Sequence, residues 1–263
     1  MSDGNAIEFN KIRPRLKPPL RPDAQIVSAY AQAIEGHADR VLLLGVTEEL
    51  VDLGKTTVAL DISRTMIAQA WPGDTARRRA VRGNWMDMPF QHPEFTAAVG
   101  DGVLAAIALA DYGSLARQFA KALRPHARIA MRTYVAPETG ATLAQVREAA
   151  MLGDITGFHA FKWRLAMAIA KERLNAAVPV ALIHETFERL FPDRAALAAG
   201  SGWSLEEISE IDAYAGKIFV YHFPTRREIL AHLPSTIRDV RFLPTGDYEL
   251  AEQCPLLVAD FAP

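Results

Sequence analysis

The sequence predicts an α/β protein with a doubly wound, mostly parallel sheet, an antiparallel C-terminal strand and a helical insert that covers the cleft. Two observations carry this prediction. Short apolar segments alternate with helical segments five times between residues 40 and 132, which is typical of a parallel sheet with right-handed crossovers. From residue 137 to about residue 225 the pattern becomes mainly helical, and two further strand-like segments follow.

The composition is that of an ordinary globular protein. The 263 residues are 50% hydrophobic, and 29 Lys and Arg against 31 Asp and Glu give a formal net charge of −2. Such a balance creates no overall field for a phosphate backbone, so we expect no nucleic-acid partner. The single cysteine, Cys254, excludes an internal disulfide and is interpreted as a packed residue at the start of a strand. Neither an export signal nor a membrane span is recognised, so we expect a cytoplasmic protein without membrane contact.

A proline-rich arm and one helix precede the first strand. Four prolines between residues 14 and 22 disfavour regular helix and favour an extended chain. Asp23 is a good N-cap, and Ile26, Tyr30 and Ile34 follow at helical spacing up to Gly36. Residues 1–36 are therefore predicted to form an N-terminal arm and helix.

The predicted core consists of five strands with short connections. Arg40–Leu44 is apolar without alternation, as expected for a strand covered on both faces. A short helix is predicted to begin at Thr47, where two acidic residues suit the positive end of a helix. The five strands are predicted at residues 40–44, 57–60, 79–82, 95–99 and 127–132, with helices at 63–71 and 114–123.

The insert is predicted to be helical, and the sheet to end with two more strands. The insert helices are expected at residues 143–152, 158–174, 183–191, 193–199 and 204–214. Residues 237–243 and 256–261 are predicted to form a hairpin-like edge of the sheet. The predicted organisation is therefore a Rossmann-like core of residues 37–136 and 226–263, with residues 137–225 as a substrate-binding or lid insert.

Residues suited to a nucleoside ligand follow four consecutive strands. In a doubly wound sheet, ligands bind beyond the carboxyl ends of the strands, so these residues should converge. Gly45 lets the backbone approach a ligand, and a helix beginning near Thr47 could bind a carboxylate. Asp61 could accept both ribose hydroxyls, or serve only as a helix cap. The residues in question are Gly45, Val46 and Thr47, then Asp61 and Ile62, then Asn84, Trp85 and Met86, then Asp101 and Gly102.

Asn84 and Trp85 suit the base of such a ligand. Trp85 offers a flat face for adenine, and Asn84 has a donor and an acceptor for the edge of the base. The alternative for Trp85 is a core position. The set of residues favours the ligand-binding interpretation, because each one matches a different part of the same molecule.

With these motifs, the sequence resembles the class I S-adenosylmethionine-dependent methyltransferases over residues 25–135 and the terminal strand pair. The resemblance lies in residues 40–50, 58–67, 81–90 and 123–128. It implies S-adenosylmethionine as cofactor, with its ribose held by Asp61 and its adenine against Asn84 and Trp85. It also implies that Asp101 and Gly102 line the cleft near the transferred methyl group.

The sequence departs from that family at the first loop. Only Gly45 remains of a loop that usually has several glycines, and Leu43 stands where an acidic residue is common. The methionine end of the cofactor must therefore be held in another way. The candidates are Thr47, backbone N–H groups and Tyr30 from the preceding helix.

The insert carries the candidates for substrate binding. His159, Lys162 and Trp163 can share one helical face, where they could bind an acidic substrate and His159 could accept a proton as catalytic base. In the alternative interpretation, His159 caps a helix and Lys162 forms a surface ion pair. Arg132 and Tyr134, just past the fifth strand, are further substrate-binding candidates, whereas Tyr221 could equally belong to sheet or hinge packing.

The function predicted is methyl transfer to an oxygen or nitrogen atom of a small molecule, with an anionic metabolite among the candidates. No histidine pair or ligand cluster has the spacing of a metal site, so we expect no metal. A non-catalytic scaffold with the same fold is the alternative, since the glycine loop is reduced. A nicotinamide-dependent oxidoreductase is disfavoured because two further glycines of the dinucleotide fingerprint are absent. The oligomeric state stays open, and a homodimer is one candidate.

Overall fold

The computed structural model describes residues 15–173 and 176–263. The strands are β1 (Arg40–Leu44), β2 (Thr56–Asp61), β3 (Arg78–Arg82), β4 (Phe95–Asp101), β5 (Leu123–Arg132), β6 (Ala177–Pro179), β7 (Val220–His222), β8 (Ile237–Leu243) and β9 (Leu256–Phe261). The helices are α1 (Ala24–Ala33), α2 (Arg64–Ala70), α3 (Tyr112–Ala122), α4 (Leu143–Met151), α5 (Phe158–Lys171), α6 (Val180–Leu190), α7 (Arg194–Ser201), α8 (Leu205–Ser209) and α9 (Arg226–His232). Residues 1–14 of the predicted arm, and the last residue of the helix predicted at 158–174, lie outside the described residues.

Seven strands form one mixed sheet in the order β3-β2-β1-β4-β5-β9-β8. Strands β1 to β5 are parallel, and β9 pairs antiparallel with both β5 and β8. The predicted fold class, a mostly parallel sheet with an antiparallel C-terminal strand, is confirmed. The C-terminal pair extends the sheet beyond β5, as predicted, with β9 next to β5 and β8 at the edge.

Helices cover both faces of the sheet, as in a doubly wound fold. Within β1, Val41 and Leu43 belong to the hydrophobic cluster that contains α1. Leu42 and Leu44 belong to the opposite cluster, which contains α3 and part of α9. Burial on both faces explains why the β1 sequence is continuously apolar instead of alternating.

The insert between β5 and β8 has a hydrophobic cluster of its own. Its central helix is α5, in which 11 of 14 residues are buried. Tyr134 and Cys254 of the sheet region belong to the same cluster, so the insert packs directly on the core. No described helix has the length and apolarity that spanning a bilayer requires.

Three local features differ from the sequence prediction. The insert contains a two-stranded sheet of β6 and β7, and α9 follows it. Helix α9 begins with a capping box between Thr225 and Glu228, a signal that the sequence does contain. The segment between β1 and β2 holds only one turn of 3-10 helix, Glu48–Leu50, in place of an α-helix. That segment is too short for the usual crossover helix, because parallel strands normally need a dozen or more connecting residues.

Candidate functional site

A cavity of about 330 Å³ lies beyond the carboxyl ends of the parallel strands. This volume is in the range of small-molecule sites. Ten of the eleven residues predicted to bind a cofactor line the cavity: Gly45, Val46, Thr47, Asp61, Ile62, Asn84, Trp85, Met86, Asp101 and Gly102. Their contacts with a ligand stay predictions, but the structure brings them to one place.

Gly45, Asp61 and Trp85 meet at the centre of this cluster. Gly45 has φ +93°, in the left-handed region that favours glycine. A Cβ on Gly45 would lie 3.8 Å from Cζ2 of Trp85 and 4.0 Å from Oδ2 of Asp61. Glycine at residue 45 therefore keeps open the space between an aromatic ring and a carboxylate.

Asp61 lies at the end of β2, but it is not the N-cap of α2. Its Oδ1 accepts a hydrogen bond of 2.8 Å from the backbone N–H of Ser63, and the side chain of Ser63 caps the helix. Burial raises the pKa of Asp61, and the Ser63 hydrogen bond partly offsets that rise. The cap interpretation is therefore wrong, and Asp61 remains a cavity-lining carboxylate.

Trp85 and Asn84 are fixed by hydrogen bonds to the backbone. Nε1 of Trp85 donates to the carbonyl of Leu60 at 2.7 Å, and the backbone N–H of Gly45 donates to the same carbonyl at 2.9 Å. Oδ1 of Asn84 accepts a hydrogen bond from the N–H of Met86 at 2.9 Å. These bonds hold the indole as one wall of the cavity.

Asp101 is held from behind by residues that the sequence analysis expected in the cleft. The buried guanidinium of Arg132 contacts both carboxylate oxygens of Asp101, with Nη2–Oδ2 at 2.9 Å. The hydroxyl of Tyr30 donates to the carbonyl of Gly100 at 2.7 Å and accepts from the N–H of Arg132 at 2.9 Å. Neither Arg132 nor Tyr30 lines the cavity, so their prediction as substrate and cofactor contacts is corrected.

The insert residues His159 and Lys162 also lie away from the cavity. Nζ of Lys162 is fully buried, 3.6 Å from Oε2 of Glu210 and above the rings of Phe158 and Tyr214. Burial lowers the pKa of Lys162 to about 8. Burial also lowers the pKa of His159 to about 4. His159 and Lys162 do share one helical face, since both lie 3.6 Å from Oε2 of Glu210. The proposed role of His159 as base is corrected because this face points away from the cavity, and the ion pair of Lys162 is buried instead of lying at the surface.

The aromatic residues of the insert are arranged in two layers. Tyr134 lines the cavity as predicted, together with Phe219 and Tyr221 from the β7 region. Trp163 lies behind them, with its ring 5.0 Å from Tyr134 and 5.1 Å from Tyr221 between centroids. The expectation that Trp163 contacts substrate is therefore corrected, and Tyr221 is a lining residue in addition to a packing residue.

The arm, of which residues 15–23 are described, contributes to the cavity although no sequence pattern predicted this. Leu16, Leu20 and Arg21 line the cavity, as does Glu49 of the β1–β2 connection. Nε of Arg21 donates to Oε1 of Glu49, and Nη2 of Arg21 lies 3.4 Å from Oε2 of Glu48. No sequence signal links Arg21 to residues 27 and 28 positions away. The predicted helix start near Thr47 is likewise corrected, because one 3-10 turn offers no helix dipole for a carboxylate.

One group of possible metal ligands occurs among the described residues, outside the cavity. His184, Glu188 and Asp212 have ligand atoms within 4.8 Å of one another. The guanidinium of Arg194 already contacts Glu188 at 2.5 Å and Asp212 at 2.9 Å. Since a cationic side chain neutralises this group, it does not support a metal site.

The sequence comparisons identify one family. Residues 45–131 match a family model described as a methyltransferase domain. This segment begins at Gly45 and ends within β5, so it contains the lining residues that follow β1, β2, β3 and β4. No curated protein matches the chain.

Three solved structures with this fold have 9 to 13% identity to the chain. A Zn-dependent alcohol dehydrogenase from Rhodobacter sphaeroides, named as putative, matches with 9% identity and TM-score 0.56, covering 100% of this chain and 98% of that chain. A chain of the complex between the Haloferax volcanii Trm112 methyltransferase activator and its partner methyltransferase matches with 13% identity and TM-score 0.52, covering 99% and 95%. The S-adenosylmethionine-dependent methyltransferase SibL matches with 12% identity and TM-score 0.50, covering 91% of this chain and 55% of that chain. At these identities the likeness shows the fold alone, and this chain spans little more than half the length of SibL.

Proposed function

We propose that this chain, whose residues 45–131 match a methyltransferase-domain model, is a class I S-adenosylmethionine-dependent methyltransferase. It transfers a methyl group to an oxygen or nitrogen atom of a small-molecule acceptor. The observation that carries the proposal is the meeting of Gly45, Asp61 and Trp85, from three separate strand ends, around one space in the cavity. That space has a carboxylate on one side and an indole on another, as an adenosyl group requires.

The adenosine half of the cofactor fits over the ends of β1, β2 and β3. Asp61 has a carboxylate oxygen near Gly45 that could accept the ribose hydroxyls. The wall formed by Trp85 could stack on adenine, while Asn84 offers its amide N–H groups to the edge of the base. Each of these residues is already oriented by a backbone hydrogen bond, so little side-chain freedom would be lost on binding.

The methionine half fits the ion pair of Arg21 and Glu49. An amino-acid group carries one ammonium and one carboxylate, and this pair offers one partner for each. Both residues line the cavity beside Thr47, at the end of β1. We propose that this ion pair replaces the missing glycines and the missing crossover helix of the first loop.

The end of the cavity where methyl transfer would occur lies on the side of β1 that is occupied by β4 and β5. In the sheet order β3-β2-β1-β4-β5, the ends of β4 and β5 provide Asp101, Gly102 and Tyr134. S-adenosylmethionine, when bound, would supply an electrophilic methyl group on a positively charged sulfur at this end of the cavity. Asp101 is positioned to accept the hydrogen bond of an O–H or N–H nucleophile and to receive its proton, while Arg132 fixes the carboxylate.

Ligand binding separates this function from its alternatives, the non-catalytic scaffold and the nicotinamide-dependent oxidoreductase. Isothermal titration calorimetry should show micromolar affinity for S-adenosylmethionine and S-adenosylhomocysteine and no binding of NAD. The Asp61→Ala variant should bind S-adenosylhomocysteine roughly 10- to 150-fold more weakly, because a charge-assisted hydrogen bond contributes about 1.5–3 kcal/mol.

The matched control is Glu185→Gln, which removes an exposed carboxylate of α6 outside the cavity. Its affinity should equal that of the wild type. Binding of NAD alone would favour the oxidoreductase, and absence of binding by all three ligands would favour the scaffold.

A further inference from the structure

The side chains that line the acceptor half of the cavity limit the class of methyl acceptor that can bind there. This inference rests on the proposed function. The lining of this half consists of Ala106 and Ile107 after β4, Tyr134 after β5, and Phe219 and Tyr221 from the β7 region. Three of these five side chains are aromatic and the other two are aliphatic. This part of the cavity therefore favours an apolar or aromatic ligand, which leaves water and packs against these rings.

The aromatic residues form a supported wall. The rings of Phe219 and Tyr221 lie 4.8 Å apart between centroids at an interplanar angle of 84°. Trp163 contacts both Tyr134 and Tyr221 from behind at angles of 68° and 70°. These edge-to-face contacts limit rotation of the lining rings, so the wall is prepared for a flat molecule before binding.

Charge in this half of the cavity opposes an anionic acceptor. Among the described lining residues from the end of β4 onwards, Asp101 is the charged one. The guanidinium of Arg132 is fully buried and paired with Asp101, and Lys162 lies within the insert beside Glu210. A carboxylate on the acceptor would thus lose its hydration next to the Asp101 carboxylate, and neither Arg132 nor Lys162 lines the cavity to pair with it.

The polar groups that remain are neutral hydroxyls. Burial raises the pKa of Tyr221 to about 12, and burial raises the pKa of Tyr134 as well. A Cβ placed on Gly102 would lie 3.5 Å from the Tyr134 hydroxyl, so this hydroxyl lies close to the residue that follows Asp101.

From these observations we infer that the methyl acceptor is an uncharged aromatic molecule whose O–H or N–H group reaches Asp101 while its ring packs against Tyr134, Phe219 and Tyr221. In the transfer, the nucleophile–methyl bond forms as the sulfur–methyl bond breaks. The proton of the nucleophile passes to the Asp101 carboxylate. The neutral thioether and the methylated acceptor are the products.

Three probes of similar size test this inference on the protein saturated with S-adenosylhomocysteine. They are 2-naphthol, which is aromatic and uncharged, 2-naphthoate, which is aromatic and anionic, and decahydro-2-naphthol, which keeps the hydroxyl without the aromatic ring. Calorimetry should show 2-naphthol binding at least about tenfold more tightly than either of the others. Equal or tighter binding of 2-naphthoate would overturn the inference, as would equal binding of the saturated alcohol.

Two variants test whether 2-naphthol binds against the aromatic wall. Phe219→Leu should weaken 2-naphthol binding roughly 3- to 10-fold, since an aromatic pair is replaced by an aliphatic contact. Its affinity for S-adenosylhomocysteine should not change, and this second measurement also reports correct folding. The control Leu152→Ala removes an exposed apolar side chain outside the cavity and should match the wild type.

The outcomes separate the two proposals. If S-adenosylhomocysteine binds and 2-naphthol does not, the substrate class is wrong while the methyltransferase function stands. If S-adenosylhomocysteine itself does not bind, the proposed function fails and this inference fails with it. If Phe219→Leu leaves 2-naphthol binding unchanged, the aromatic wall is not the acceptor site.

Discussion

Asp101 and Arg132 are paired by the register of two strands. They face each other as partners in the parallel pairing of β4 and β5. Each of them alone is a plausible ligand-binding residue when the sequence is considered without the sheet. In the structure the guanidinium of Arg132 donates hydrogen bonds to both carboxylate oxygens of Asp101. Arg132 therefore positions Asp101 and does not itself line the cavity.

The lowered pKa of His159 leads us to expect a loss of stability in acid. Burial lowers its pKa in the folded protein to about 4, below its ordinary value of 6.5. Between these values the unfolded chain binds a proton that the folded chain does not. The free energy of unfolding should therefore fall as the pH drops from about 6.5 to 4, by at most ~1.4 kcal/mol per pH unit from this group.

Urea unfolding at pH 7, 6 and 5 measures this effect by comparison of the wild type with His159→Asn. The variant should show a shallower pH dependence, because its residue 159 does not titrate. Identical pH dependence of the two proteins would contradict the depressed pKa. Because His159 lies outside the cavity, the affinity for S-adenosylhomocysteine should be equal in both proteins at pH 7.

At the scale of elements, the arm and the β1–β2 connection meet at the cavity. The helical part of the connection is one 3-10 turn, Glu48–Leu50. The arm lies against it through the contact of Arg21 with Glu49, and Leu16 and Leu20 of the arm line the cavity. We propose that the arm, which precedes the first strand, completes the cofactor site in place of a glycine-rich first loop.

The Arg21→Met variant tests the proposed role of the arm in cofactor binding. S-adenosylhomocysteine should bind about 10-fold more weakly, because a charge-assisted contact to its carboxylate is lost. Methylthioadenosine, which has the adenosine part without the amino-acid group, should bind with unchanged affinity. Calorimetry with both ligands gives the two constants.

The control for this experiment is Arg78→Met. Arg78 is the first residue of β3 and lies outside the cavity, and its substitution removes an ion pair with Asp52. Both affinities should stay at the wild-type level. Equal weakening of both ligands by Arg21→Met would mean that the arm affects the whole cavity and does not hold the methionine end.

At the scale of the whole molecule, the insert and the sheet share buried side chains. Tyr134 and Cys254 leave the sheet region and pack in the cluster built around α5. Burial raises the pKa of the Cys254 thiol to about 12, as expected for a residue sealed between the two parts. Because separation of the insert would expose this contact, we expect the insert and the sheet to unfold together.

Thermal unfolding with and without S-adenosylhomocysteine tests this expectation. A ligand at 100 times its Kd stabilises the folded state by about 2.7 kcal/mol, and in a chain of this size that raises Tm by roughly 5–10 °C. Circular dichroism should show one transition that shifts as a unit. Two transitions, of which only one shifts, would show that the insert unfolds independently of the cofactor site.

The sequence alone determined the parts of this protein that depend on local pattern. Largely apolar segments identified β1 and β9 with their observed bounds, because burial on the sheet leaves a direct mark on composition. The mixed polar and apolar segment of β8 was also predicted with its observed bounds. The residues after the strands were found because topology sends the ends of all parallel strands to one edge. Gly45, Asp61 and Trp85 could thus be grouped without coordinates.

The tertiary structure decided which charged and aromatic side chains face the cavity. Arg132, His159 and Lys162 have the chemistry of substrate ligands, yet strand register and the packing of α5 turn them towards Asp101 and Glu210. Arg21 lines the cavity and contacts Glu49, and no rule of sequence spacing predicts this contact. The physical reason is that the partner of a charged side chain is chosen by three-dimensional packing between segments distant in sequence, whereas periodicity reports only the burial of each segment.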